Sequence, residues 1–159
     1  MTRIRNLAWL SLSLVIVAVD QWTKWLAVTH LEFARSVNVL PGLDWTLLHN
    51  RGMAFSLFND GGWQFWALTV LTVAVSAVLL VWLARTPARL RWQAASLALV
   101  LGGAVGNLVD RLRLGHVIDF IDVYYDRWHW PAFNVADSAI TVGAVLLAIT
   151  LFRQDRREA

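Results

Sequence analysis

Long apolar runs alternate with short polar stretches along the whole chain. Four runs, at 7–26, 63–83, 92–109 and 133–152, approach the roughly 20 residues a helix needs to cross hydrocarbon. The pattern predicts an α-helical integral membrane protein with four transmembrane helices, making a single membrane domain over residues 1–159. Asp20, Gln21 and Lys24 interrupt one end of the first run. Two longer insertions separate the runs. The first, 31–62, carries β-type residues around Pro41-Gly42, a favoured turn pair, and predicts a short hairpin or small sheet on the membrane surface. The second, 111–131, is aromatic and acidic and predicts a short interfacial helix. The third connection, 86–91, is short and carries no evident chemistry.

Composition agrees with the pattern. Hydrophobic residues make up 58% of the chain and charged residues 16%, and a soluble protein of this size could not hide so much apolar surface. The net charge of +3 is explained by topology and leaves no footprint for nucleic acid. With the N-terminus inside, the inner side holds Arg3, Arg5, Arg85, Arg89, Arg91, Arg153, Arg156 and Arg157 against only Asp155 and Glu158. The outer side is richer in acid than in base. The positive-inside rule therefore selects cytoplasmic N- and C-termini. Trp22, Trp25, Trp63, Trp66, Trp128 and Trp130 cluster at the outer interface, where an indole suits the headgroup level. Arg3 and Arg5 ahead of an apolar run mimic a signal peptide, but no small-x-small cleavage site precedes the polar residues, so the run is read as an uncleaved first helix. The chain has no cysteine, which excludes disulfides and thiolate metal sites.

Every polar residue of chemical interest then falls on the outer side. Asp20 and Lys24, four apart, share a helix face and can pair. Asn50 and Gly52 suit a tight backbone excursion. Gly102, Gly103 and Gly106 allow close helix approach just before Asn107, Asp110 and Arg111, and Asp110 with Arg111 predicts a supporting hydrogen-bonded network. Asp119, in V-I-D-F, and Asp137, one helical turn after Asn134, form a pair at one depth. Two carboxylates sharing a site cannot easily both ionise, so one holds a proton while the other acts as base. Sequence alone leaves Asp110 and Asp122 open as the second member, although Asp122 and Asp126 read as ordinary polar surface. His30, His49, His116 and His129 form no spaced ligand set, no nucleophile elbow or phosphate loop is present, and Ser138 has no obvious base.

Taken in order, these motifs identify a family. The groups Asp20-Gln21-x-x-Lys24, Asn50-x-Gly52-x-Ala54-Phe55, Gly102-Gly103-Ala104-x-Gly106-Asn107-x-x-Asp110-Arg111, Val117-x-Asp119-Phe120 and Phe133-Asn134-x-Ala136-Asp137 resemble bacterial lipoprotein signal peptidase, signal peptidase II. Met53 stands where that family more often has alanine. The resemblance implies a four-helix aspartic endopeptidase of the bacterial inner membrane, with a small periplasmic β cradle and a short periplasmic helix over the active site. It implies Asp119 and Asp137 as the catalytic dyad, with Asp20, Lys24, Asn50, Gly52, Asn107, Asp110, Arg111 and Asn134 supporting the site or contacting substrate. It further implies diacylglyceryl-prolipoprotein substrates anchored in the membrane, contact with membrane lipid, cleavage just before the lipidated cysteine, no metal or organic cofactor, and inhibition by globomycin-type peptides. A monomer is the expected working unit. The competing readings are a small proton-coupled transporter or channel subunit, which calls for carboxylates spread through the bilayer depth, and a scaffold whose polar cluster only locks helices together. A different intramembrane aspartyl protease would need a G-x-G-D motif, which the chain lacks.

Overall fold

The computed structural model describes residues 8–52 and 63–158. Four helices and four strands alternate along it: α1 (Leu10–His30), β1 (Ser36–Leu40), β2 (Leu43–Asn50), α2 (Trp63–Arg85), α3 (Arg91–Leu114), β3 (Val117–Tyr125), β4 (Trp128–His129) and α4 (Val135–Glu158). Three helical segments, Phe65–Arg85, Arg91–Leu114 and Val135–Gln154, are long and apolar enough to cross a membrane. Helix α1 has 21 residues, but Asp20, Gln21 and Lys24 dilute its apolar character.

Helix α3 is the hub, packing against α1, α2 and α4. Small residues on it make this possible. A Cβ added at Gly103 would run into the carbonyl oxygen of Ala136 and come within 2.8 Å of Ile140 Cγ1; one at Gly102 would lie 2.9 Å from the Ser13 carbonyl oxygen. Backbones that approach so closely gain van der Waals contact where lipid offers no hydrophobic drive to pair helices. Ser13 adds a hydrogen bond from its Oγ to the Ala98 carbonyl at 2.8 Å. Near the α2–α3 turn, Leu79, Leu83, Ala94, Leu97 and Leu101 form an apolar core. The burial pattern is otherwise inverted relative to a water-soluble protein. Asp20, Lys24, Asp110 and Asn134 lie inside, while Val70, Leu71 and Val78 of α2 face outward, as expected where the surrounding solvent is hydrocarbon.

The strands form one antiparallel sheet in the order β1-β2-β3-β4. Gly42, at φ 86°, makes the β1–β2 turn. Strand β2 then pairs with β3 from Leu43↔Val123 to Asn50↔Val117. One face carries Val37, Trp45 and Ile121, and the other carries Asn38, Asp44 and Asp122. Ala27 of α1 joins Leu47, Ile118 and Phe120 of the sheet in a second apolar cluster.

The second insertion departs from the expected interfacial helix. Helix α3 continues to Leu114 and stops at Gly115, whose left-handed φ of 76° lets its N–H bond the Arg111 carbonyl. Residues 117–125 are strand. V-I-D-F-I-D-V-Y-Y is rich in β-branched and aromatic side chains, and pairing with β2 on one edge and with the 128–133 segment on the other satisfies its backbone. Met53, Ala54 and Phe55 lie outside the described residues.

Candidate active site

The site is built where α1, α3, β3 and the start of α4 meet. Lys24 is its electrostatic centre. Its side chain is 2% exposed, and its Nζ lies 2.8 Å from Asp20 Oδ2, 2.8 Å from Asp110 Oδ2 and 2.9 Å from Asn107 Oδ1. Each carboxylate also accepts a backbone N–H. Asp20 Oδ1 accepts the Ala136 N–H at 2.9 Å, and Asp110 Oδ2 accepts the Ile118 N–H at 3.1 Å. Gln21 Nε2 donates to Asp110 Oδ1 at 2.7 Å and to the Gly106 carbonyl at 3.2 Å. A Cβ on Gly106 would sit 2.7 Å from Asp20 Oδ2, so only glycine lets the carboxylate in. One buried cation thereby ties the first residues of β3 and the first turn of α4 to the helix core.

Asp119 and Asp137 hang from this frame through two asparagines. Asn134, with no exposed surface, donates from Nδ2 to Asp119 Oδ1 at 2.7 Å, to the Ile118 carbonyl at 3.1 Å and to Asn107 Oδ1 at 3.2 Å. Asn107 Nδ2 donates to Asp137 Oδ1 at 2.8 Å. Asn50 Nδ2 donates to Asp119 Oδ2 at 2.9 Å, and Asn50 Oδ1 accepts the Gly52 N–H at 2.8 Å. Asn134 and Asp137 also form a reciprocal cap. The Asn134 Oδ1 accepts the Asp137 N–H at 2.9 Å, and Asp137 Oδ2 accepts the Asn134 N–H at 3.2 Å. That is the capping-box exchange between the N-cap residue and the third helical residue, which satisfies donors the helix itself cannot. The segment arrives in register because Phe133 pairs with Ile121 of β3 in both directions, at 2.9 and 3.0 Å.

Burial of the Asp119 carboxyl, 2% exposed, is the main force raising it from 3.8 to about 6. The nearby Asp137 adds to the rise, while hydrogen bonds from Asn50 and Asn134 and the charge of Lys24 oppose it. Asp137 is half-buried. Arg111, also half-buried, interacts through its charge most strongly with Asp137, then with Asp110 and Asp119. Among the described residues, no cluster of three or more histidines and carboxylates is arranged to hold a metal ion.

All ten residues named from the sequence thus converge on one region, Gly52 at its edge through Asn50. Two details differ from expectation. Asp110 pairs with Lys24 and Gln21, not with Arg111, because consecutive helical residues point about 100° apart. Asp122 is not open surface. It is 8% exposed, accepts the Thr46 hydroxyl at 3.3 Å and contacts His129 Nδ1 at 2.9 Å. Asp126 is exposed, in a left-handed turn at φ 55°. Gln21 joins the site as well, through its side-chain amide. Its signal in the sequence is the spacing to Lys24, three residues on and on the same helix face.

Fold and site together define a class: a small protein of membrane-length apolar helices built around a buried cluster of carboxylates. Comparison with known proteins gives the family. The model for Signal peptidase (SPase) II matches residues 12–153. The lipoprotein signal peptidase of Acinetobacter baylyi (strain ATCC 33305 / BD413 / ADP1) is 55% identical over 148 residues, covering 92% of this chain and 83% of that protein. That of Pseudomonas syringae pv. tomato (strain ATCC BAA-871 / DC3000) is 52% identical over 158 residues, covering 98% and 91%. A bacterial membrane enzyme solved by the in meso method at 1.9 Å superposes with a TM-score of 0.81 at 29% identity, covering 91% of this chain and 92% of that one. A second, solved at 2.3 Å, gives 0.84 at 27%, covering 96% and 92%. The chain belongs to the signal peptidase II family, aspartic proteases that process lipoprotein precursors. Membership sets aside the transporter and scaffold readings.

Proposed function

We propose that this chain crosses the bacterial inner membrane four times and cleaves diacylglyceryl-modified prolipoproteins just before the lipidated cysteine, using Asp119 and Asp137 as the acid/base pair. The observation that carries this reading is the asparagine wiring, in which Asn134 and Asn107 hold the two carboxyls about a common centre. Arginine bias toward one side supports cytoplasmic termini and a site at the periplasmic, outer-leaflet boundary. There both a lipid anchor and water have access. The anchor fixes the depth of the scissile bond.

The chemistry follows from the pair. A water between the carboxyls loses a proton to the ionised member as its oxygen attacks the scissile carbonyl. The protonated member hydrogen-bonds the carbonyl oxygen and stabilises the charge that develops there. Asp119, buried and raised to about 6, suits the proton-carrying role. The tetrahedral intermediate then collapses, the carbon–nitrogen bond breaks, and a proton from the pair passes to the leaving amine of the cysteine. General acid–base work of this kind contributes roughly 10²–10⁴-fold, so positioning supplies the remainder. Lys24, Asp20 and Asp110 supply rigidity, and Arg111 lies close enough to bias charge at the pair. Substrate class, globomycin-type inhibition and freedom from cofactors come with the family reading, and a monomer is the working unit proposed here.

The test uses purified protein in neutral detergent with a fluorescent diacylated lipobox peptide and its unlipidated twin. Wild type should cleave only the lipidated peptide. Asp119→Asn and Asp137→Asn should each abolish cleavage while still melting cooperatively. Activity surviving in either folded variant would move the pair.

A further inference from the structure

At the end of the helices remote from the carboxylates lies a second polar feature. Arg91 opens α3, and Asp110 follows 19 residues later, roughly 28 Å along the axis at 1.5 Å per residue. Between the start of α3 and the last turns of α4 runs a groove of about 430 Å³, within the range of small-ligand sites. Arg89, Arg91 and Arg153 line it. None of these three makes an ion pair with the side chains described for residues 8–52, 63 and 65–154. Gln93 also lines it, and is 6% exposed. Its Oε1 accepts from Gln154 Nε2 at 3.3 Å, and its own amide N–H groups meet no acceptor among those same residues. Helix α3 has no side-chain cap at Leu90, so its first N–H groups add a partial positive charge at the same place. The lining also includes the apolar side chains of Trp92, Leu146 and Ile149. Ile149 continues into the outward-facing Val142 and Val145 of α4.

We propose that this groove binds an anionic phospholipid, with its phosphate among Arg89, Arg91, Arg153 and Gln93 and an acyl chain along Trp92, Leu146 and Ile149. Each part of the groove matches a part of that molecule. Guanidinium forks and an amide donor suit phosphate oxygens. The apolar part of the lining opens onto the lipid-facing surface of α4, where a soluble anion would have nothing to cover it. Basic pockets between membrane helices recognise anionic headgroups in this way. Assignment to the inner leaflet rests on the orientation proposed above, whereas binding itself does not. Failure of the peptidase reading and failure of this one are therefore separable.

The experiment takes the full chain in neutral detergent micelles and adds phosphatidylglycerol, phosphatidylcholine or inorganic phosphate. Native mass spectrometry counts adducts, and thermal melts report stabilisation. Phosphatidylglycerol should be retained and should raise the Tm, and the other two should not. Each arginine near a lipid phosphate is worth about fivefold in affinity, so Arg91→Gln/Arg153→Gln should weaken phosphatidylglycerol binding about 25-fold. Arg85→Gln, on another surface of the same end, should leave it within about twofold. If the double variant melts lower without lipid, Arg153→Gln alone decides, with an expected loss of about fivefold. Equal binding of phosphatidylcholine, equal stabilisation by inorganic phosphate, or an equal loss in Arg85→Gln would each overturn the proposal.

Discussion

Replacing Lys24 with methionine removes one charge and almost no volume, and it tests the frame that carries the site. The lysine neutralises Asp20 and Asp110 from 2.8 Å each, with 2% of its side chain exposed. Methionine fills the same channel but strands two carboxylates that have 0% and 2% exposure. Removing one partner of a buried ion pair costs about 3–5 kcal/mol, because the charge left behind is uncompensated. For a chain of this size 1 kcal/mol moves the Tm by about 2–4 °C, so Lys24→Met should melt about 6–20 °C lower in detergent at neutral pH. The double variant Lys24→Met/Asp20→Asn removes one stranded charge and keeps an oxygen for the Ala136 N–H, so it should regain about half of that loss. Peptidase activity should fall with the Tm, because Asp20 and Asp110 hold the segments bearing Asp137 and Asp119. A single variant melting within about 2 °C of wild type would refute the reasoning. So would a double variant in which the two losses simply add.

Three further outcomes are expected. Asp119 is raised from 3.8 to about 6, so below pH 3.8 it is protonated in folded and unfolded chains alike, and the folded state loses stability as pH rises toward 6. The Tm of Asp119→Asn relative to wild type should therefore climb between pH 4 and pH 8, by at most about 3 kcal/mol of stability; a flat difference would count against the buried carboxyl. Gly103→Ala places a methyl against the Ala136 carbonyl and Ile140, and should cost about 1–3 kcal/mol in a thermal melt as α3 and α4 separate. Asn134→Ala removes the N-cap of α4, worth about 1 kcal/mol, and leaves Asp119 Oδ1 without its 2.7 Å donor. Its kcat should fall much more than its KM rises, in the lipidated-peptide assay.

The helical frame is legible in the sequence because the bilayer imposes length. An apolar run near 20 residues has few other uses. The Asp20–Lys24 contact is legible for a similar reason, since four residues on a helix always share a face. Strand β3 is harder to read. Residues 117–120 are buried on both faces, so the period-two contrast that marks a strand is missing there, and the aromatic residues that follow suggest a helix at the interface. The partners of Asp110 and Asp122 come from remote parts of the chain. Lys24 lies 86 residues before Asp110, and Thr46 lies 76 before Asp122. Neighbourhood in sequence misleads for both. What places Asp119 beside Asp137 is the pairing of Phe133 with Ile121, a tertiary fact with no local signature.

The reciprocal cap at the start of α4 makes Asp137 two things at once. The Oδ2 that accepts the Asn134 N–H belongs to the same carboxyl whose Oδ1 accepts from Asn107 and which is proposed above as one of the acid/base pair. Whenever that oxygen turns to a water or to a substrate, the first turn of the helix loses a fastening. Under the proposed mechanism, helix fraying and chemistry draw on a single group. The backbone amide of Asn134 becomes a built-in indicator, its exchange with solvent hydrogen rising or falling with the occupation of the site. An inhibitor that engages Asp137 would be visible there without any turnover.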